Sequence, residues 1–376
     1  MSDDYISPFE GEPRLVTRTM HEYAPEPMRW IWPGRIAEGK LTLIAGDPGL
    51  GKSFLTIDLA ARLSRGASMP DGTIGQRRFN GEPRPCDTIF LSAEDDPGST
   101  ILPRLHAAGA DLSRIHFAEA VARTPGEHDP TVCLDRDIDA IFNRVRSSSA
   151  ISMIVIDPLS AYLGDVGENR NAEVRGMLQR LAAYAASYRV AIVAVTHLNK
   201  KGGDRAIYRA MGSLAFVAAA RAVHLVCRHP DDEDARLFME AKNNISTPNP
   251  TLSYRLTPTT LEGMRPMGAL DTDDPSRWTI HTARLDWDDA PCVYTSESFD
   301  SAEATEQADA LEEACAWLLA TLRAAPERAM ATNAVKECAE RDGLSWGAVR
   351  RAKRRTGVTA SKGNSANAAW EWRAPS

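Results

Sequence analysis

The stretch Leu41–Ser53 reads LTLIAGDPGLGKS. Its opening, LTLIA, is an apolar run of the kind a buried strand uses. From Gly46 the chain continues G-D-P-G-L-G-K-S, which satisfies G-x-x-x-x-G-K-[ST] at every fixed position. Next, SFLTIDLAARLSRG sets apolar residues at helical spacing and closes on Arg62, Arg65 and Gly66, a helix stop. Strand, glycine-rich loop and helix in this order form an anion cradle. Backbone N–H groups turn inward, and the helix start lends its partial positive charge to the same spot. Gly46, Asp47, Pro48, Gly49, Leu50, Gly51, Lys52, Ser53 and Phe54 are therefore the expected contacts for ATP. Lys52 would reach the β- and γ-phosphates, and the Ser53 hydroxyl would ligate Mg²⁺.

Such a loop binds nucleotide; hydrolysis also needs a second carboxylate for the metal and a group that orients water. ISMIVIDPLS supplies the first, with Asp157 closing an apolar strand where ligands of open α/β sheets collect. Pro158 follows, so the acid that polarises water comes from another strand end. DTIFLSAED offers Glu94, with Asp95 and Asp96 as close competitors. A third strand, VAIVAVTHLNK, puts Thr196, His197 and Asn199 at its end, where a polar residue can touch the γ-phosphate and report its loss.

Short apolar strands alternate with amphipathic helices from Trp30 onward, which predicts an α/β fold: a mostly parallel sheet with helices on both faces. DRDIDAIFNRVRSS and VRGMLQRLAAYAASY read as helices, and RAVHLVCRH and ARLFMEAKNN as two more strands. After Pro248 the pattern fades. The expected organisation is an irregular lead-in (1–29), an ATPase domain (30–265), an acidic linker (266–307) and a small C-terminal unit (308–376). The lead-in reads as a subunit-swapping arm or as plain disorder.

The order of phosphate loop, Glu94, I-V-I-D-P-L-S and A-V-T-H resembles the RecA/DnaB-like P-loop ATPases. It is most similar to the RepA-type hexameric replicative helicases of plasmids and to related phage and mobile-element ATPases. The resemblance covers Trp30 to Pro248. It implies a RecA-like core and a homo-oligomeric ring, usually hexameric, with ATP at each subunit junction and a neighbour's arginine on the γ-phosphate. M-G-S-L-A-F-V-A-A-A-R-A-V would carry that arginine as Arg221, and E-A-K-N-N a second basic residue, Lys242. Read alone, Arg221 is an arginine in an alanine-rich segment with a salt bridge as its ordinary role. The segment KKGGDRAIYRAMG, with Lys200, Lys201, Arg205 and Arg209, would line the central channel and follow single-stranded DNA.

The C-terminal unit reverses the chain's charge. SWGAVRRAKRRTG predicts a helix capped by Ser345, with Ala348, Val349 and Ala352 buried and Arg350, Arg351 and Arg354 in a basic run. NAVKECAERDG reads as the preceding helix, and VTASKGNSANAAWEW as a hairpin. Together they resemble a winged helix-turn-helix, able to bind duplex DNA or to dock another replication protein.

The 376 residues carry a net charge of −7, so the whole chain is not a polyanion binder, although a local patch can be. Six scattered cysteines without a C-x-x-C pair argue against a zinc site or disulfide framework and fit a reducing cytosol. MSDDYISPFEGEPR is acidic and proline-broken, unlike a targeting peptide. LAFVAAARAVHLVC is interrupted by Arg221 and too short to span a bilayer. A cytoplasmic protein without membrane contact is expected. The readings are a ring motor on DNA, a DNA-bound ATPase switch in recombination or plasmid maintenance, and a small-molecule kinase. The kinase leaves Thr196–His197 and the basic tail without a role.

Overall fold

The computed structural model describes residues 17–75, 78–79, 82–124, 127–164, 171–197, 214–263, 279–362 and 370–375. A short antiparallel pair, β1 (Trp30–Trp32) and β2 (Ile36–Ala37), leads into β3 (Leu41–Gly46) and α1 (Lys52–Arg65). The ribbon β4 (Arg78–Phe79) and β5 (Glu82–Pro83) precedes β6 (Asp87–Ser92), α2 (Leu102–Ala107) and β7 (Ile115–Phe117). A second ribbon, β8 (Val121–Thr124) and β9 (Glu127–Asp129), leads to α3 (Leu134–Arg146), β10 (Ile151–Asp157), α4 (Asn171–Tyr188) and β11 (Ala191–His197). Then come α5 (Leu214–Ala219), β12 (Ala222–His229), β13 (Asp232–Asn243), β14 (Leu252–Glu262) and β15 (Thr279–Trp287).

Nine of these strands form one sheet in the order β15-β14-β13-β12-β3-β11-β10-β6-β7. The six from β12 to β7 are parallel, and β13, β14 and β15 extend the sheet antiparallel. The period-2 alternation of buried strands explains the layering. In β10, Ile154 and Ile156 pack on one face with α3 and α4, around Phe142, Leu178 and Phe216. Met153 and Val155 pack on the other with α1 and α2, around Leu55, Leu59 and Leu105. This is the expected mostly parallel sheet, covered by helices on both faces.

The expected fading after Pro248 and the acidic linker need correction. β14 pairs with β13, and β15 pairs with β14 over nine residue pairs, so the sheet reaches well past Pro248. Leu252, Tyr254 and the partly buried Leu256 pack one face of β14 on the core, while Ser253, Arg255, Thr257 and Thr259 on the other mask the pattern in sequence. The acidic run from Ser296 opens α6 (Ser296–Ala324).

The C-terminal unit holds the second half of α6, then β16 (Ala329–Ala331), α7 (Thr332–Arg341), α8 (Trp346–Arg355), β17 (Thr359–Lys362) and β18 (Trp370–Arg373). β18 pairs antiparallel with both β16 and β17. Ser345 caps α8 by accepting from the Ala348 N–H at 3.2 Å. Ala348, Val349 and Ala352 face a separate core with Leu318, Leu322 and Trp372.

Candidate nucleotide site

The register of the parallel strands gathers the functional ends. Gly46 lies level with His197 of β11 and Val226 of β12, and Asp157 lies level with Ser92 of β6. All of them open on the side of the sheet where the loop before α1 turns. Gly46 must be glycine, because a Cβ there would sit 2.5 Å from the Val226 carbonyl oxygen. Gly51, just before α1, has φ +84°, a left-handed conformation that other residues resist. Glycine at these two positions therefore permits the close approach and the left-handed turn that the loop needs.

Lys52 is nearly buried and folds back on the loop. Its Nζ donates to the carbonyls of Gly46 and Asp47, both at 2.8 Å, and lies 3.4 Å from His197 Nδ1. Burial lowers its pKa, while Asp157, Asp47 and Glu94 pull it back up. On the other side of the imidazole, His197 Nε2 lies 3.6 Å from Glu94 Oε1. A neutral ring that accepts from Lys52 at Nδ1 carries its proton on Nε2, toward Glu94. The imidazole therefore stands between the phosphate-loop lysine and the candidate base.

Geometry separates the three acids that follow β6. Asp95 is paired with Arg104 at 2.7 Å, and Asp96 accepts from the Gly98 and Ser99 N–H groups at 3.0 and 2.7 Å as a cap. Glu94 is the one facing His197. Asp157, 8% exposed, accepts from the Ser53 hydroxyl. Burial pushes its pKa up, and the Asp95 and Glu94 charges push the same way. A buried carboxylate beside a hydroxyl is a hard oxygen pair of the kind Mg²⁺ takes together with phosphate oxygens. A Cβ built on Gly49 would meet nothing within 4 Å, so the loop faces open space. The donor set and the open cradle both fit a nucleotide with its divalent cation.

Sequence reasoning missed the supports of this loop. Tyr254 of β14 donates its hydroxyl to the Leu50 carbonyl at 2.9 Å, and Leu256 lies 3.0 Å from where a Gly51 Cβ would be. Trp287 of β15 donates Nε1 to Asp58 of α1 at 2.9 Å. Phe54 lies under the Arg104 guanidinium, 4.3 Å from its ring centre. Alternation in β14 was the available signal.

Arg221 and Lys242 lie elsewhere. The Arg221 N–H donates to the Leu41 carbonyl, at the start of β3, with its side chain exposed. Five residues of strand, about 16 Å, separate that level from Gly46. Lys242 donates to the Val217 and Ala220 carbonyls at 2.7 and 2.8 Å, capping α5 within its own chain. Neither joins the phosphate loop of the same subunit. Arg350, Arg351 and Arg354 are exposed on α8. Lys200, Lys201, Arg205 and Arg209 lie outside the described residues.

The AAA domain family profile matches residues 9–203, just over half of the chain. The chain belongs to the AAA domain family. Within it, this P-loop ATPase core is RecA/DnaB-like. The chain is 29% identical over 188 residues to the "Probable plasmid replicative DNA helicase" of Chlamydia muridarum (strain MoPn / Nigg), covering 46% of this chain and 38% of that protein. It is 24% identical over 214 residues to the "DNA repair protein RadA" of Halalkalibacterium halodurans, covering 54% and 39%. The chain thus spans less than half the length of these curated relatives. Among solved structures, an ATPase domain aligns with TM-score 0.42 and 12% identity, covering 58% of this chain and 82% of that one. No described helix of this AAA domain protein is long and apolar enough to cross a membrane.

Proposed function

We propose that this chain is an ATP-hydrolysing, ring-forming motor that acts on DNA in replication, as a RepA/DnaB-like helicase. Lys52 and the loop from Gly46 to Phe54 bind the nucleotide, and Ser53 and Asp157 hold Mg²⁺. Glu94 takes the proton of the attacking water, and His197 links its state to the phosphate loop. A ring, hexameric by the family resemblance, brings Arg221 and Lys242 of one subunit to the ATP of the next. The observation that carries this reading is the split site. Lys52, His197 and Glu94 converge at one end of the sheet, while exposed Arg221 sits about 16 Å away at the other, where it serves a neighbour. Single-stranded DNA would be held in the channel by Lys200, Lys201, Arg205 and Arg209, and duplex by Arg350, Arg351 and Arg354. The domain division is an ATPase domain to about 265, extended by β15, and a DNA-binding unit from about 308. The protein works in the cytoplasm.

The steady-state ATPase rate, measured with and without single-stranded DNA across protein concentration, tests the reading. A rate that rises with both supports the motor. One indifferent to both overturns it. The basic C-terminal unit favours one second reading, a DNA-bound ATPase switch that does not translocate. It predicts stimulation by duplex DNA without strand separation.

A further inference from the structure

The C-terminal unit carries a cleft that duplex binding does not use. It measures about 540 Å³ and lies between the start of α7 and the outer half of β18. That volume lies within the roughly 300–1,000 Å³ of small-ligand clefts. Thr332 and Asn333 form one wall, Trp370 and Trp372 the other, with Lys353 of α8 beside them. Trp372 is the buried floor, stacked on Trp346 with ring centres 5.3 Å apart. Lys353 Nζ sits 4.7 Å from the Trp372 ring centre. Trp370, two residues earlier on the same strand face, continues the aromatic row outward and is 56% exposed. The wall is fixed, since the Thr332 hydroxyl donates to the Trp370 carbonyl at 2.9 Å.

We infer that this cleft takes an unpaired nucleobase of DNA, with Lys353 on its phosphate, so that the unit recognises single-strand/duplex junctions. Two features favour this occupant. Between residues 344 and 376 the chain has seven basic residues and one acidic one, Glu371, which complements a phosphate backbone. Arg350, Arg351 and Arg354 are exposed on the helix that supplies Lys353, so a duplex held there leaves its end near the cleft. An indole wall can stack only on a base whose face is free, and in a duplex both faces are covered by neighbouring pairs. The exposed Trp370 ring therefore selects a base outside the stack.

The inference rests on the DNA-binding reading of this unit, and the test separates the two. The full chain, without nucleotide, is titrated against a blunt duplex and against the same duplex with a short overhang whose first unpaired base is 2-aminopurine. The expected result is quenching of that base, with Trp370→Ala abolishing it and weakening overhang binding roughly ten-fold. Trp370→Phe retains most of both, and blunt-duplex affinity stays unchanged. Equal binding of the overhang by the wild type and Trp370→Ala, or an equal loss on blunt duplex, overturns the cleft. If combined Arg350→Ala, Arg351→Ala and Arg354→Ala leaves duplex affinity untouched, the DNA-binding reading falls as well. Unchanged blunt-duplex affinity in Trp370→Ala, together with an unchanged melting transition, shows that the C-terminal unit of the variant is folded.

Discussion

The Tyr254 hydroxyl donates to the Leu50 carbonyl at 2.9 Å, tying the antiparallel extension of the sheet to the middle of the phosphate loop. The bond is fully buried, and burial holds the phenol protonated by raising its pKa. Tyr254→Phe keeps the ring and strands a buried carbonyl, at a cost of about 1–3 kcal/mol. The loop would then sample other conformations before ATP binds. KM for ATP should rise several-fold while kcat changes little, and Tyr254→Ala should lower kcat as well. A Tyr254→Phe enzyme with unchanged KM would show that the loop holds its shape without the strand.

Glu94→Gln should leave nucleotide binding nearly intact and slow hydrolysis strongly, because only Glu94 of its acidic trio faces His197. Asp95→Asn acts differently. It breaks the 2.7 Å pair with Arg104 and frees the guanidinium that covers Phe54, so binding should suffer more than the rate per bound ATP. Nucleotide affinity and single-turnover rate separate the two. A normal single-turnover rate in Glu94→Gln moves the base elsewhere.

The parts visible in sequence share a physical feature. Gly46–Ser53, Asp157 and His197 sit at ends of mostly apolar, buried strands, where the pattern changes abruptly. Of the antiparallel strands, β13 was legible, but β14 and β15 were hidden because one face of each is polar, so their polar residues read as loop. Partner choice among the acids was also illegible. Glu94, Asp95 and Asp96 are adjacent and alike in type, and only the fold directs one to Arg104, one to backbone N–H groups and one to the imidazole. Lys242 matches a family segment, but its contacts to the Val217 and Ala220 carbonyls depend on how β13 passes α5.

Asp157→Asn should abolish Mg²⁺-dependent turnover yet stabilise the nucleotide-free chain at neutral pH. Burial raises the native pKa of Asp157 above its unfolded value. Its contribution to stability is therefore fully present below the usual carboxylate range and is lost as pH rises through the native value. The asparagine lacks this loss. Melting temperatures of the two proteins should converge near pH 3–4 and separate at about pH 7, with the variant higher. A variant that is less stable at neutral pH would mean that Lys52 more than compensates the buried charge.

His224 has the opposite sign. It is fully buried, stacked on Phe238 with ring centres 4.6 Å apart, and its Nδ1 has no hydrogen-bond partner among the described residues. Burial drops its pKa to about 3, with the Arg35 charge acting the same way. The unfolded chain takes up the proton first, so stability is present above about 6.5 and is lost as pH falls toward 3. The loss is at most about 5 kcal/mol. His224→Phe should flatten the fall in melting temperature between about pH 6.5 and 4. Parallel curves for both proteins would assign the acid sensitivity to other groups.

Arg221 gives the sharpest test of assembly. Its backbone is fixed at the Leu41 level by the 2.9 Å bond to that carbonyl, on the far side of the sheet from Lys52. If it acts on a neighbour, Arg221→Ala rings should bind ATP and hydrolyse it poorly, because a trans arginine contributes several kcal/mol to the transition state. Lys52→Ala rings should fail at binding instead. Mixing the two inactive proteins then creates junctions that pair an intact phosphate loop with an intact arginine, and some ATPase activity should return. The recovered fraction should follow the mixing ratio and vanish when both changes lie in one chain. Absence of recovery, in mixtures that demonstrably exchange subunits, would confine Arg221 to a role within its own chain.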